Sequence, residues 1–96
     1  MIISFRDKRT RSFFEGKRVK AFQGFERPAM LRLDRLHAAG RVLALNTPGN
    51  RLERLKGDRQ GQYSIRINDK WRICFEWPEE SPGPLNVEIV DYHIVR

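Results

Sequence analysis

Apolar residues recur with a helical period in the first half of the chain and alternate with the period of a strand in the second half. Asp7 is a candidate N-cap for a first helix, which is expected to run through Phe14 and to stop at Gly16. A second helix is predicted for residues 27–39, with Gly40 as its C-cap. The apolar face of this second helix consists of Ala29, Leu33 and Leu36.

Period-two alternation begins after the turn at residues 47–50 and continues almost to the C-terminus. The predicted strands cover residues 1–5, 52–55, 63–67, 71–77 and 85–93. Because the helices come first and most of the strands follow one another directly, the sequence predicts an α+β fold. Two N-terminal helices pack on a small, mainly antiparallel β-sheet, in a single domain that covers residues 1–96.

The side-chain pattern determines the loop length of the hairpin between the predicted strands 63–67 and 71–77. Ile65 and Ile73 share the inner face only if the loop is odd, as residues 68–70 provide, with one loop residue in the left-handed region. The same register places Arg66 opposite Arg72 on the outer face. Opposed like charges indicate nearby carboxylates, a bound anion, or a twist that carries both groups into water, and the surrounding basic run favours the anion.

The charge balance adds a polyanionic partner to this picture. The formal net charge is +7, from 19 basic and 12 acidic residues, and arginine predominates among the cations. Such an excess in a small domain points to nucleic acid, an acidic protein, or both. Cys74 is the only cysteine, which fits a reducing compartment. The opening residues are charged too early for a signal peptide and no run is long enough to span a membrane, so the cytoplasm is expected.

Candidate chemistry lies near the C-terminus. Metal-free RNA cleavage needs a base for the 2′-hydroxyl proton, an acid for the leaving 5′-oxygen, and cations for the phosphate. His93 suits either proton role, Asp91 could act as the base or orient His93, and Tyr92 could stack on a base or donate a hydrogen bond. Strict alternation puts Tyr92 on the face opposite to the other two, so the three converge only if the strand twists, bends or ends there.

Basic residues supply the remaining parts of such a site. Lys56 and Arg72 are candidates to clamp the phosphate. The candidate RNA-binding residues are Arg51, Arg54, Arg59 and Arg66. No metal-ligand spacing, phosphate-loop glycine pattern or nucleophile elbow is present in the sequence, which therefore predicts neither a metal nor a cofactor.

Five segments also carry a resemblance to a known family. They are MIISF at residues 1–5, NRLERLKGDR at 50–59, GQYSIRIN at 61–68, WRICF at 71–75 and VEIVDYH at 87–93. The chain resembles the HigB-like killer toxins, a branch of the RelE/ParE toxin superfamily. The resemblance covers nearly the whole chain, and it implies a compact α+β fold with helices packed on a small antiparallel sheet.

This resemblance implies a ribosome-dependent endoribonuclease that cuts mRNA in the decoding site and is neutralised by a cognate helix-turn-helix antitoxin. Lys56 and Arg72 match the basic residues that handle phosphate in the family, and residues 91–93 match its C-terminal active-site triplet. Some relatives have a histidine just before the Leu-Lys-Gly motif, where this chain has Glu53 and Arg54. That departure leaves His93 or Asp91 as the main proton carrier.

Two other functions remain open at this point. ParE-like proteins share the fold and poison DNA gyrase without catalysis of their own, and a basic RNA-binding module need not be toxic. The triplet at residues 91–93 favours the nuclease, because a binding protein has no need of a proton-transfer cluster.

Overall fold

A computed structural model of the chain describes residues 1–91. It contains two α-helices, α1 at Lys8–Phe14 and α2 at Glu26–Ala38. The four strands of the described part are β1 at Glu53–Arg54, β2 at Gln62–Arg66, β3 at Trp71–Glu76 and β4 at Leu85–Asp91. They form one antiparallel sheet in the order β1-β2-β3-β4. The predicted α+β class is confirmed.

The two helices begin close to where the sequence predicts, but the second ends differently. The Asp7 side chain accepts a hydrogen bond from the Thr10 N–H at 2.9 Å, and Gly16 follows α1 in the left-handed region. Gly40 is not the C-cap of α2. Ala39 takes that place in an extended conformation and is buried, so the chain leaves the helix towards the core without needing a glycine. Neither helix is long and apolar enough to cross a membrane.

The predicted strand at residues 1–5 is wrong. Only one parallel bridge forms there, between Phe5 and Val87, and the Val87 N–H donates to the Ser4 carbonyl. Next to this bridge Asn86 leaves the extended conformation, with φ +53°, and donates its N–H to the Ser4 hydroxyl. The N-terminal segment therefore lies along β4 without becoming a full strand.

The register of the β2–β3 hairpin is confirmed. Ile65 pairs with Ile73, and Arg66 pairs with Arg72. Paired residues share a face of the sheet, so the two arginines lie together on the outer face. The apolar alternation alone was enough to predict this arrangement, because a slip of one residue would have exposed every inward side chain.

The hairpin loop has the predicted three residues, but its conformation was predicted wrongly. None of residues 68–70 has a positive φ. The Asn68 side chain closes the loop instead, since its Oδ1 accepts hydrogen bonds from the N–H groups of Lys70 and Trp71 at 2.9 and 2.8 Å. An asparagine side chain can thus replace the backbone turn that a left-handed residue would have made.

The hydrophobic core lies between the inner face of the sheet and α2. Trp71 packs edge-on against Phe22 and stacks with Phe25, which ties the segment between the helices to β3. Fully buried members of this core are Phe22, Leu33, Leu36, Ile65, Ile73, Phe75, Val87 and Ile89. Since α2 covers this face, its central part is closed, and a ligand can reach the inner face only towards the ends and edges of the sheet.

Candidate active site

Two neighbouring cross-strand rows of the sheet organise the surroundings of several candidate residues. The first, called the locked row, consists of Glu53, Ser64, Cys74 and Glu88, each paired with the next across the strands. The second, called the stacked row, consists of Arg54, Tyr63 and Phe75, paired in the same way. Successive residues of a strand point to opposite faces, so the two rows lie on opposite faces of the sheet.

Arg72 lies beside the locked row and is buried, with only 4% of its surface exposed. Its Nε donates to the Ser64 hydroxyl at 2.8 Å, and its Nη2 donates to the Arg51 carbonyl at 2.7 Å. The Glu53 carboxylate lies 3.4 Å from the same Nη2. A buried guanidinium needs such partners, because it has lost its water. Arg72 therefore joins the hairpin to the segment that leads to Lys56.

The backbone of Arg51 is shaped for this contact. Arg51 adopts the left-handed conformation, with φ 45° and ψ 56°, which costs a non-glycine residue about 1 kcal/mol. Its carbonyl accepts the Arg72 hydrogen bond, while its side chain is exposed. The contact therefore offsets a local strain, and it leaves the predicted RNA-binding side chain of Arg51 at the surface.

The other end of the locked row holds a second group of charges. The Glu88 carboxylate is nearly buried and lies 2.7 Å from Arg59 Nη1 and 3.4 Å from Arg6 Nε. Arg59 also donates to the Gln62 side chain at 3.0 Å. The predicted RNA-binding residue Arg59 is thus half-buried and already paired with a carboxylate. The structure brings it to the sheet rather than to open solvent.

Cys74 occupies the middle of the locked row and is fully buried. Burial disfavours the thiolate and raises the pKa of the Cys74 thiol to about 11. The side chain is therefore a protonated thiol at neutral pH, and it fills space between the strands.

Arg66 and Arg72 are opposed as predicted, and each has a carboxylate of its own. Arg66 Nη2 pairs with Asp69 Oδ1, and Glu53 pairs with Arg72. The favoured explanation, a bound anion, is therefore not needed to hold the two arginines side by side, and nearby carboxylates are what the structure shows. Arg66 stays a predicted RNA-binding residue with a half-buried side chain.

The stacked row has a different character. Because β2 lies between β1 and β3, the Tyr63 ring sits between Arg54 on one side and Phe75 on the other. Arg54 Cζ lies 5.6 Å from the Tyr63 ring centroid, and Arg54 Nη2 donates to the Tyr63 hydroxyl at 3.2 Å. This hydrogen bond raises the pKa of Arg54 above its usual value. The Tyr63 and Phe75 rings stack at 5.9 Å with 22° between their planes.

A cleft of about 570 Å³ opens beside the stacked row. Its walls are formed by Arg54, Leu55, Lys56, Gln60, Gly61 and Tyr63. Lys56 is exposed and immediately precedes a single 3₁₀ turn at Gly57–Arg59, in which Gly57 has a φ of +64°. The structure therefore brings together the predicted phosphate-handling Lys56 and the predicted RNA-binding Arg54.

Tyr63 lines this cleft although it was not among the predicted site residues. The alternation marked it as an inward core residue, and its ring does stack on Phe75. At this end of the sheet, however, the inner face is open, and Tyr63 is only half-buried. The available signal was its position directly after the Gly61-Gln62 pair, close along the chain to the exposed basic segment at residues 54–60.

Asp91 ends β4 and is the only member of the closing triplet within the described residues. It pairs with Trp71, which places its side chain on the inner face, and Lys70 Nζ lies 3.7 Å from its carboxylate. Arg72 pairs with Val90 and faces the outer side. At this level of the sheet, Asp91 and Arg72 therefore point away from each other.

Tyr92 and His93 lie outside the described residues. The sequence and the family resemblance predict that Lys56 and Arg72 lie close enough to His93 to share one phosphate, and this stays a prediction. What the structure adds is the environment of two of these residues: Lys56 is exposed in a cleft, and Arg72 is buried and held by several partners.

The sequence has clear similarity to known proteins. Residues 3–93 match the family described as RelE-like toxin of type II toxin-antitoxin system HigB. Toxin HigB-1 of Vibrio cholerae serotype O1 is 38% identical over 80 residues, which cover 80% of this chain and 84% of that protein. Endoribonuclease HigB of Proteus vulgaris is 39% identical over 62 residues, which cover 65% of each chain. The family match spans the cleft, Arg72 and the closing triplet.

Proposed function

The chain belongs to the HigB-like toxins of type II toxin–antitoxin systems, and we propose that it arrests growth as an endoribonuclease that cleaves mRNA on the ribosome. The observation that carries the proposal is the continuous family match over residues 3–93, which contains every candidate catalytic residue. The name of the Proteus vulgaris relative supports the reaction class. The net charge of +7 suits a polyanionic substrate.

The proposed reaction is an internal displacement at phosphorus. A base removes the proton of the 2′-hydroxyl, the 2′-oxygen bonds to phosphorus, and the bond to the 5′-oxygen breaks as an acid protonates that oxygen. His93 and Asp91 fill the two proton roles, and Tyr92 holds the adjacent base or donates a hydrogen bond. Negative charge grows on the phosphate oxygens during the displacement, so fixed cations lower the barrier.

Lys56 and Arg72 supply these cations in different ways. The exposed ammonium of Lys56 can contact a phosphate directly. Arg72 is buried against Ser64 and the Arg51 carbonyl, so it keeps the segment before Lys56 in place and contributes a positive potential. Arg72 therefore acts as a fixed part of the site, and Lys56 as its adjustable contact.

The proposed partners follow from the same assignment. A type II system includes a cognate antitoxin, and we expect one of the helix-turn-helix class. Cleavage on the ribosome makes the ribosome and its mRNA the targets, and it places the protein in the cytoplasm. The mechanism uses side chains alone for proton transfer and charge stabilisation, and it requires no cofactor.

The test is replacement of His93 with Gln. The variant should fold, bind the antitoxin and lose the growth arrest, because removal of a proton-transfer group costs roughly 10²–10⁴ in rate. Transcript ends mapped in arrested cells should show cuts with the parent chain and none with His93→Gln. His37→Gln is the matched control, since His37 lies on α2 and its Nδ1 accepts a hydrogen bond from the Ile2 N–H at 3.1 Å.

Two results would contradict the proposal. One is growth arrest by the parent chain with intact transcripts, and broken DNA in those cells would then indicate a gyrase poison. The other is full cleavage by His93→Gln, which would remove His93 from the proton-transfer machinery and leave Asp91 as the group to test.

A further inference from the structure

We infer that the stacked row is a nucleobase platform, on which one base of the bound RNA stacks against the Arg54 guanidinium while the neighbouring phosphate lies on Lys56. The inference rests on the proposed function in one respect, the identity of the ligand as RNA. It adds Tyr63 to the site as the residue that positions Arg54, and it separates base recognition from the chemistry assigned to residues 91–93.

The first argument is the order of the stack. Phe75 is fully buried, Tyr63 is half-buried and Arg54 is exposed, so the three planar groups lead from the core to solvent. The outermost plane is a guanidinium, which stacks well on nucleobases. A nucleobase has the shape and the π-face to add a fourth layer to this stack.

The second argument is that the platform is fixed in advance. The hydrogen bond between Arg54 and the Tyr63 hydroxyl holds the guanidinium over the ring, at 5.6 Å from its centroid. An exposed arginine would otherwise sample many rotamers, and a ligand would have to restrict them at an entropic cost. Because Tyr63 has already removed much of that freedom, less affinity is lost when a base binds.

The third argument is the distribution of charge around the platform. The first cleft is lined by Arg54 and Tyr63 and also by Lys56. A second cleft shares Arg54 and Tyr63 with the first, and its walls carry Glu76 and Glu79. Glu76 is paired with Arg6 at 3.1 Å, but Glu79 is exposed and repels phosphate, whereas the Lys56 ammonium attracts it, so the first cleft is the favourable path for the backbone of an RNA strand.

The two cations of the first cleft are chemically suited to different parts of a nucleotide. Lys56 carries a compact charge without a plane, which fits a phosphate oxygen, whereas the flat fork of Arg54 fits a base. The exposed carboxamide of Gln60 lies in the same cleft and offers both a donor and an acceptor to the edge of that base. The cleft thus offers Lys56 to the phosphate, Arg54 to the face of the base and Gln60 to the edge of the base.

The experiment compares Arg54→Lys with the parent chain on two fluorescently labelled strands. One is a short single-stranded RNA, and the other is an abasic strand with the same number of phosphates. Lysine keeps the charge and loses the plane, so affinity for the RNA should fall about tenfold while affinity for the abasic strand stays the same. Arg54 is exposed, so the substitution does not threaten folding.

Two further variants sharpen the result. Tyr63→Phe keeps the ring and removes the hydroxyl that holds Arg54, so it should weaken RNA binding severalfold and again leave the abasic strand unaffected. Arg27→Lys makes the same exchange at an exposed position of α2 and should change neither affinity. Equal losses on both strands in Arg54→Lys, or no loss on either, would overturn the platform.

The outcome is independent of the nuclease test. If the parent chain cuts transcripts and Arg54→Lys binds RNA as well as the parent does, the platform is wrong and the nuclease stands. If the parent discriminates RNA from the abasic strand through Arg54 and cuts nothing, the nuclease is wrong and the platform stands.

Discussion

The locked row and the stacked row are built from neighbouring residues of the same strands, yet charged groups are paired within the protein in the first and exposed to solvent in the second. Glu53 and Arg54 are adjacent in β1, and Tyr63 and Ser64 are adjacent in β2. In the locked row both carboxylates are matched by arginines of the fold itself. In the stacked row the terminal guanidinium is exposed to solvent. Clustering of basic residues along a sequence therefore says little about which of them can reach a ligand.

The physical cause of this difference is hydration. A guanidinium that leaves water must recover its lost hydrogen bonds inside the protein, and Arg72 does so with Ser64, the Arg51 carbonyl and Glu53. Arg54 keeps its water and is oriented mainly by one hydroxyl and one ring. The first arginine stabilises the fold, and the second remains free to exchange water for a ligand.

The strongest test of this comparison is to replace Arg72 and Arg54, one at a time, with alanine. Arg72→Ala should lower the free energy of unfolding by about 3 kcal/mol, because it leaves buried acceptors without their donor. Arg54→Ala should leave the free energy of unfolding unchanged, because its side chain is exposed. Urea denaturation of both variants measures the difference. Equal effects would mean that the two rows do not differ as the structure indicates.

A smaller effect is expected at the other end of the locked row. Glu88→Gln keeps the shape of the side chain but removes the charge that faces Arg59 and Arg6, so it should cost about 2 kcal/mol of stability. Glu79→Gln is the matched control at an exposed position and should be neutral. A melting temperature for Glu88→Gln as high as that of the control would show that the Glu88 cluster is not stabilising.

The smallest effect concerns Cys74 and pH. Burial raises the pKa of the folded thiol to about 11 from an ordinary value of 9.0, so between these two values the unfolded chain loses a proton that the folded chain keeps. Stability is therefore fully present below pH 9 and falls as the pH rises, by about 1 kcal/mol at pH 10. Cys74→Ala should lose less stability over the same interval. Parallel pH profiles for the two chains would show that the thiol is accessible.

Prediction from sequence succeeded where the determinants were local or periodic. The Asp7 cap, the inner face of α2 and the pairing of Arg66 with Arg72 all follow from side chains a few residues apart. The resemblance to the family identified Lys56 and Arg72 as candidates, but it did not indicate which residues contact them. Whether a candidate is buried depends on contacts that spacing does not encode.

The failures have specific physical causes. The carbonyl that holds Arg72 belongs to Arg51, 21 residues away, and it is directed by a left-handed backbone that no alternation reveals. Tyr63 was not predicted as a site residue, because alternation tells which face of the sheet a residue occupies, and not whether a helix covers that part of the face. The strand at residues 1–5 was overpredicted because its partner lies far along the chain, where Asn86 leaves the extended conformation beside the single bridge.

The alternation of the two rows has a consequence for how such toxins diverge. Substitution of Glu53 or Glu88 requires a compensating change in its arginine partner, so these positions should covary among relatives. At the exposed end of the stacked row, Arg54 contacts a hydroxyl and a ring rather than a carboxylate, so its substitution leaves no opposite charge unmatched. The proposed base platform can therefore change by substitution on one face of β1, while the opposite face of the same strand keeps its ion pair with Arg72.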